Sequence, residues 1–280
     1  MRRINIFNKI LFNDSISYKC ISKSSHYKSY LYLLDKLCGM ICKNCGQTFE
    51  GNFCNQCGQS AHTHRIDFHF LWHDIRHGLF HVDAGILYTF RELYIRPGHS
   101  IREFIEGKRA GHFQPISLVI LLAVFYGLLF HSFGIDSKNL FDNKDAIIDY
   151  KAYNQWISTH YSWMTLATIP LYAIGTQLCF HRQGYNFTEL FILNTFKASQ
   201  RLFLHIATIP ILIYSDEMML KNMVGILYLT DTILSVFTDQ QFFDRMPTWK
   251  TIFLSLASQL VFLIIVFAIA ALWLLSFKHI

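Results

Sequence analysis

From position 116 onward the chain is written in long apolar blocks separated by short polar breaks. A membrane-crossing helix needs about 20 mostly apolar residues to span a hydrocarbon core of about 30 Å. Five blocks reach or approach that length: 116–134, 161–180, 190–214, 223–237 and 252–277. The fourth is short and carries Asp231 and the fifth is long enough to tilt, so the count of spans lies between four and six. Ahead of these blocks the period changes. Phe68, Leu71, Trp72, Ile75, Leu79, Val82 and Ile86 fall within about 100° of arc at helical spacing, while His69, His73, His77 and His81 occupy the opposite face at a strict spacing of four. That pattern predicts an amphipathic helix over 66–90, lying in a membrane interface with its histidines toward the headgroups. Pro97-Gly98 then breaks the chain, and Ser100 with Glu103 predicts a capping box that starts a short helix over 101–106, ended by Gly107.

Composition agrees with the blocks. The 280 residues are 52% hydrophobic and 16% charged, with mean hydropathy +0.26, against roughly 25% charged in soluble domains. A soluble enzyme is excluded. The net charge of +6 is concentrated early, because residues 2–64 hold eight Lys and Arg against three Asp and Glu. No basic run is long enough for a nucleic-acid tail, so the bias is read as orientation and attraction to anionic lipid, and no nucleic-acid partner is expected. Residues 91–109 carry five positive charges against three Glu, whereas 136–156 carry three Lys against four Asp. The positive-inside rule therefore predicts a multi-pass protein of the cell inner (cytoplasmic) membrane with its N-terminal region in the cytoplasm. Arg102, Lys108 and Arg109 precede the first span and are candidate lipid headgroup anchors.

Four of the seven cysteines fall within sixteen residues, as Cys42-x-x-Cys45 and Cys54-x-x-Cys57, each pair followed by a glycine. A glycine there can take the positive φ that turns backbone N–H groups toward a thiolate. Four thiolates at this spacing suit a structural Zn²⁺; two disulfides are the alternative, disfavoured in a reducing cytosol. Between the knuckles stands no Lys or Arg, which favours a protein contact or a structural clip over nucleic acid. So small a module cannot bury a useful core and would fold on its metal.

Two further clusters carry candidate chemistry. Any two neighbours among His69, His73, His77 and His81 could share a second metal, although no third ligand is evident and Asp74 stands where a zincin would have Glu. In the third block, Glu189, Lys197, Arg201 and His205 recur at multiples of four, with Asp231 of the next block as the best counter-charge. Lipid would not tolerate that stripe. It belongs on an ion pair inside the bundle, on a transport or catalytic site, or on a cytoplasmic amphipathic helix up to Arg201.

The two C-x-x-C-G knuckles, Cys57-Gly58-Gln59, Arg65-Ile66, the His-rich helix, Asp83-x-Gly85 with Thr89, Leu93-x3-Pro97-Gly98, Ile101-Arg102-x2-Ile105-x-Gly107-Lys108-Arg109 and Pro115 together resemble the bacterial zinc-ribbon membrane proteins grouped as domain of unknown function 3667. The likeness runs from Cys42 to Pro115. It implies a membrane protein whose metal ligands are Cys42, Cys45, Cys54 and Cys57, and it assigns no chemistry. In that family the ribbon lies near the start, so residues 1–39 are expected to be a poorly ordered extension, and Met40 offers an alternative translation start.

The expected fold is mainly α: a polytopic α-helical membrane bundle of about five spans over 116–280, with a small zinc ribbon over 40–60 and an amphipathic, His-rich interfacial region over 61–115. The expected function is a membrane-anchored cytoplasmic zinc-ribbon interaction module, with the bilayer and a cytoplasmic protein as partners. Two alternatives stand beside it: a small transporter or lipid-handling protein using the charged third span, and a metal-dependent membrane enzyme using the His-rich helix. No G-x-S-x-G, P-loop or G-x-G-x-x-G motif assigns an enzyme, and neither catalytic residues nor an oligomeric state can be named.

Overall fold

The computed structural model describes residues 40–61, 63, 66–67, 85–133 and 150–277. The extension over 1–39 and the four-histidine ladder at His69, His73, His77 and His81 lie outside the described residues, as does most of the 136–156 linker used for orientation. The chain divides into two compact units. One holds the described residues up to Ile66 together with Glu103–His112, and the other Asp67–Arg102 with Phe113–Ile280.

The first unit contains a two-stranded antiparallel sheet, β1 (Met40–Ile41) and β2 (Thr48–Phe49), in which Met40 faces Phe49 and Ile41 faces Thr48. A second, shorter pairing joins Phe53 to Ser60. Around the knuckles Cys42, Phe49 and Cys54 are buried as one small cluster, with Met40, Cys57 and Ala61 packed against them.

The second unit is helical. Its elements are α1 (Gly85–Ile95), α2 (Pro97–Glu106, whose last turn is counted in the first unit), α3 (Pro115–Ser132), α4 (Tyr150–Phe180), α5 (Phe187–Tyr214), α6 (Glu217–Phe242) and α7 (Thr248–Phe277). Each of the five apolar blocks coincides with one helix, but among the described residues three are long and apolar enough to cross a membrane: Pro115–Ser132, Met218–Phe242 and Thr248–Leu272. That marks a membrane protein. The Tyr, Thr, Ser and Gln of α4 and the charged and amide positions of α5 dilute those two helices. Their placement fits the dilution, since α5 packs against α3, α4, α6 and α1 and buries Asn194, Lys197 and Gln200 along with Leu190, Leu193 and Phe196. By contrast α6 and α7 leave Ile226, Leu229, Ile233, Leu260, Ile264 and Phe267 exposed, as lipid-facing helices do.

Helix starts follow local chemistry. Asn186 and Glu189 form a reciprocal capping box at α5, and Asp216 accepts from the Met219 N–H at α6. One sequence expectation is corrected here: α2 begins at Pro97, so Ser100 and Glu103 lie inside the helix instead of capping it. Proline is tolerated in the first helical turn because its missing N–H has no intrahelical partner there. Pro97-Gly98 therefore opens a helix as readily as it breaks one. Gly98 serves packing. A Cβ there would stand 2.3 Å from both the Phe242 nitrogen and the Thr238 oxygen, backbone atoms of α6 that cannot swing away. Gly98→Ala should accordingly force α2 off α6 and destabilise the bundle by about 1–3 kcal/mol, read as a lower Tm in detergent, with an unchanged Tm counting against this contact.

Candidate metal centre

The two knuckles are built alike, each on the sequence C-x-x-C-G-Q. In the first, the Gly46 N–H donates to the Cys42 carbonyl and the Cys42 N–H to the Gln47 carbonyl, both at 2.9 Å. In the second, the Gly58 N–H donates to the Cys54 carbonyl at 2.9 Å and the Cys54 N–H to the Gln59 carbonyl at 2.8 Å. Gly46 and Gly58 take φ of 74° and 72°, the left-handed region in which an L side chain is strained. Each turn thus needs its glycine.

This duplication brings all four sulfurs of Cys42, Cys45, Cys54 and Cys57 within 4.8 Å of one another. Cys42 Sγ stands 3.5 Å from Cys57 Sγ and Cys45 Sγ 3.6 Å from Cys54 Sγ, so the close pairs join the two knuckles. These are free thiols. A disulfide would need about 2.05 Å, whereas four sulfurs each about 2.3 Å from a tetrahedral ion lie about 3.8 Å apart. The donor set fits one metal ion. The thiols also repel one another's ionisation. At Cys45 the Gln47 N–H favours the thiolate, yet burial and the three neighbouring sulfurs push the thiol up to about 12. Burial opposes ionisation of Cys57 as well, but the Gln59 N–H, the Asn44 side chain and the Cys42 and Cys45 sulfurs bring it down to about 7. One charge is readily accommodated and further ones are not, and a bound cation is what would relieve that opposition.

The second knuckle also holds the turn after α2. Gln59, nearly fully buried, accepts with Oε1 from the Arg109 N–H at 3.0 Å and the Ala110 N–H at 2.9 Å. On the other knuckle Lys43 Nζ donates to the Thr63 carbonyl at 2.9 Å. Gln59→Ala removes the acceptor from two backbone donors and should cost about 1–3 kcal/mol, whereas Gln59→Glu retains an acceptor and should cost less. Amide hydrogen exchange at Arg109 and Ala110 reads the difference, and equal protection in the two variants would refute the role.

The three proposed headgroup anchors are divided between the units and have protein partners. Lys108 pairs with Glu103 at 3.2 Å, Arg109 donates to the Phe104 carbonyl and lies 5.5 Å over its ring, and Arg102 bridges His99 and Asp244.

Within the helical unit the polar stripe of α5 separates into distinct contacts. Glu189 caps its own helix. Lys197 reaches both oxygens of Asp239 at 3.0 Å, and Ser255 donates to the same carboxylate at 2.6 Å. Asp231 is taken by His205 at 3.0 Å, while Arg201 lies 4.9 Å over the Tyr172 ring. Asp239, fully buried, went unnoticed in the sequence because it follows the apolar block that ends at 237. The Thr238-Asp239-Gln240-Gln241 run is the signal that the helix continues with a polar end. Those groups also seat α1 and α2: the Gln200 side chain donates to the Leu93 carbonyl at 2.7 Å, and Gln241 Oε1 accepts from the Gly98 N–H at 3.2 Å.

Residues 83–127 match the family model described as a protein of unknown function (DUF3667), so the stretch that runs through α1 and α2 into α3 carries that domain. The four cysteines precede the matched segment. No curated protein and no solved structure matches the chain.

Proposed function

We propose that this chain is a membrane-anchored interaction module, in which a Zn²⁺ ribbon on the cytoplasmic side of a bacterial inner membrane recruits a protein partner. The observation that carries the reading is the convergence of four free thiols in a small unit separate from the helical bundle. Zinc is the ion chosen because an all-thiolate tetrahedral site with no open position is its usual structural setting. Orientation rests on the excess of Lys and Arg over 91–109 relative to 136–156. The binding face is the span between the knuckles, which lacks basic residues and exposes Phe53 at 63%, whereas Phe49 is buried against the cysteines. An exposed aromatic on a rigid metal-held turn is the kind of side chain that anchors protein contacts.

Elemental mass spectrometry on the detergent-purified chain should give one zinc per chain, absent when all four cysteines are changed to Ser. A cross-linked partner should then be lost with Phe53→Ala although zinc stays at one per chain. A ribbon that binds no zinc, or one labelled by a membrane-impermeant thiol reagent from outside intact cells, overturns the reading. A metal that persists in the four-Cys variant and disappears with His73 and His77 changed to Ala would instead favour the metal-dependent enzyme.

A further inference from the structure

Two adjoining cavities inside the helical unit share one wall. The smaller, about 50 Å³, is polar: Asn194, Lys197, Gln200, Arg201, Asp231 and Gln259 line it. The larger, about 230 Å³, has a mostly apolar surface from Met164, Ala198, Leu202 and Phe262, with Tyr161, Thr165, Thr168 and His205 also in its wall. Tyr172 and Arg201 line both. Met164 is exposed, so the apolar cavity has an edge open to the outside of the bundle.

Most polar groups around the small cavity are already engaged. Lys197 is held by Asp239, Asn194 donates to Thr176 and to the Leu190 carbonyl, and Gln200 is taken by Leu93 and Thr238. Three are left with capacity. Gln259 Nε2 and Asp231 Oδ1 are buried without a hydrogen-bond partner. Arg201 spends its guanidinium on the Tyr172 ring and a 3.4 Å contact to Tyr172 Oη, and no carboxylate among the described residues lies within ion-pair distance of it. Arg201 is partly buried, and a guanidinium without a carboxylate partner beside a buried amide donor is costly inside a helical bundle unless something accepts from them. Water can fill a polar cavity of this size and serve Asp231. It does not neutralise Arg201. A guanidinium that lines both a small cavity with polar side chains and a larger one with a mostly apolar surface matches a molecule with an anionic head and one hydrocarbon tail.

We propose that the bundle binds a single-chain carboxylate amphiphile of the fatty-acid class, with its head on Arg201 and its chain along Ala198, Leu202 and Phe262. A carboxylate is the anion chosen because it is small enough for the head cavity and accepts two parallel N–H bonds from a guanidinium. One apolar cavity takes one chain, which excludes an intact two-chain phospholipid. The site lies apart from the thiol cluster and stands or falls independently of the zinc-ribbon reading. It gives Arg201 of α5 a ligand class, while Lys197 and His205 of the same helix keep their internal acids.

Native mass spectrometry of the full chain in detergent provides the test, with palmitate, hexadecanol, butyrate and palmitoyl lysophosphatidate as probes. Palmitate is expected to bind once per chain, at least about tenfold more tightly than hexadecanol or butyrate, the difference being the charge for one and the tail for the other. Arg201→Gln is expected to erase the preference over hexadecanol while monodisperse elution and helicity are retained. Should that variant fail to fold, Arg201→Lys keeps the charge without the paired donors and is expected to weaken palmitate severalfold. Hexadecanol binding as well as palmitate would reduce the site to a lipid-facing crevice and overturn the proposal. So would butyrate binding as well as palmitate, undiminished palmitate affinity in Arg201→Lys, or lysophosphatidate binding tenfold tighter than palmitate, which would move the head group to a phosphate.

Discussion

Asp239→Ala is expected to cost about 3–5 kcal/mol of stability, the usual penalty for leaving one member of a buried ion pair uncompensated. Lys197 would keep its ammonium inside the bundle, and Ser255 would lose the acceptor it meets at 2.6 Å. For a chain of this size the loss corresponds to a fall on the order of ten degrees in Tm. Lys197→Met alone should be destabilising for the mirror reason, since it strands a carboxylate with no exposure. The double change Lys197→Met with Asp239→Leu should restore most of the loss, because a buried pair replaced by apolar groups of similar size is often no less stable than the pair. Thermal unfolding of the three variants in one detergent checks this. Single variants as stable as the parent would mean that water reaches the pair.

The second large effect is metal removal. Chelation, or Cys42→Ser with Cys45→Ser, should unfold the unit that holds the cysteines and leave the helical bundle folded. Structural zinc supplies about 10–16 kcal/mol of apparent binding free energy in zinc-finger peptides, far more than the small apolar cluster of Cys42, Phe49 and Cys54 around the knuckles could replace. Limited trypsin digestion gives the readout. Lys43, whose ammonium is held on the Thr63 carbonyl, should become a rapid cleavage site while α3 to α7 resist. Equal resistance with and without chelator would show that the knuckles fold on their backbone hydrogen bonds alone.

The apolar blocks made the five bundle helices legible, because a helix with an apolar run of that length has few other ways to satisfy its backbone. Which of them meet lipid was not legible. Composition treats α4 and α5 as diluted spans, but α5 is polar because it is buried among other helices, and only packing distinguishes that from an interfacial helix. The cysteine spacing announced a four-thiol cluster, and the repeated C-x-x-C-G-Q shows why: two copies of one turn, each with its left-handed glycine. Pairing was the weaker part. Asp231 was the counter-charge legible for the stripe because it interrupts an apolar block, and it does meet His205, whereas Lys197 is held by Asp239, hidden in a run of polar residues near the end of α6. Pro97-Gly98 was ambiguous by nature, since the same dipeptide can end one element or begin the next.

The unequal burial of the helices also bears on how the chain can drift over generations. Along α6 and α7 an outward leucine can become isoleucine, valine or phenylalanine at little cost, so those segments are free to lose resemblance between lineages while remaining apolar. From Leu190 to Gln200 α5 is packed among other helices, and at Gly98 even a methyl group is too large. Recognisable ancestry should therefore persist in the short stretch from α1 to α3 and the elements seated against it, and fade first on the outward faces of α6 and α7.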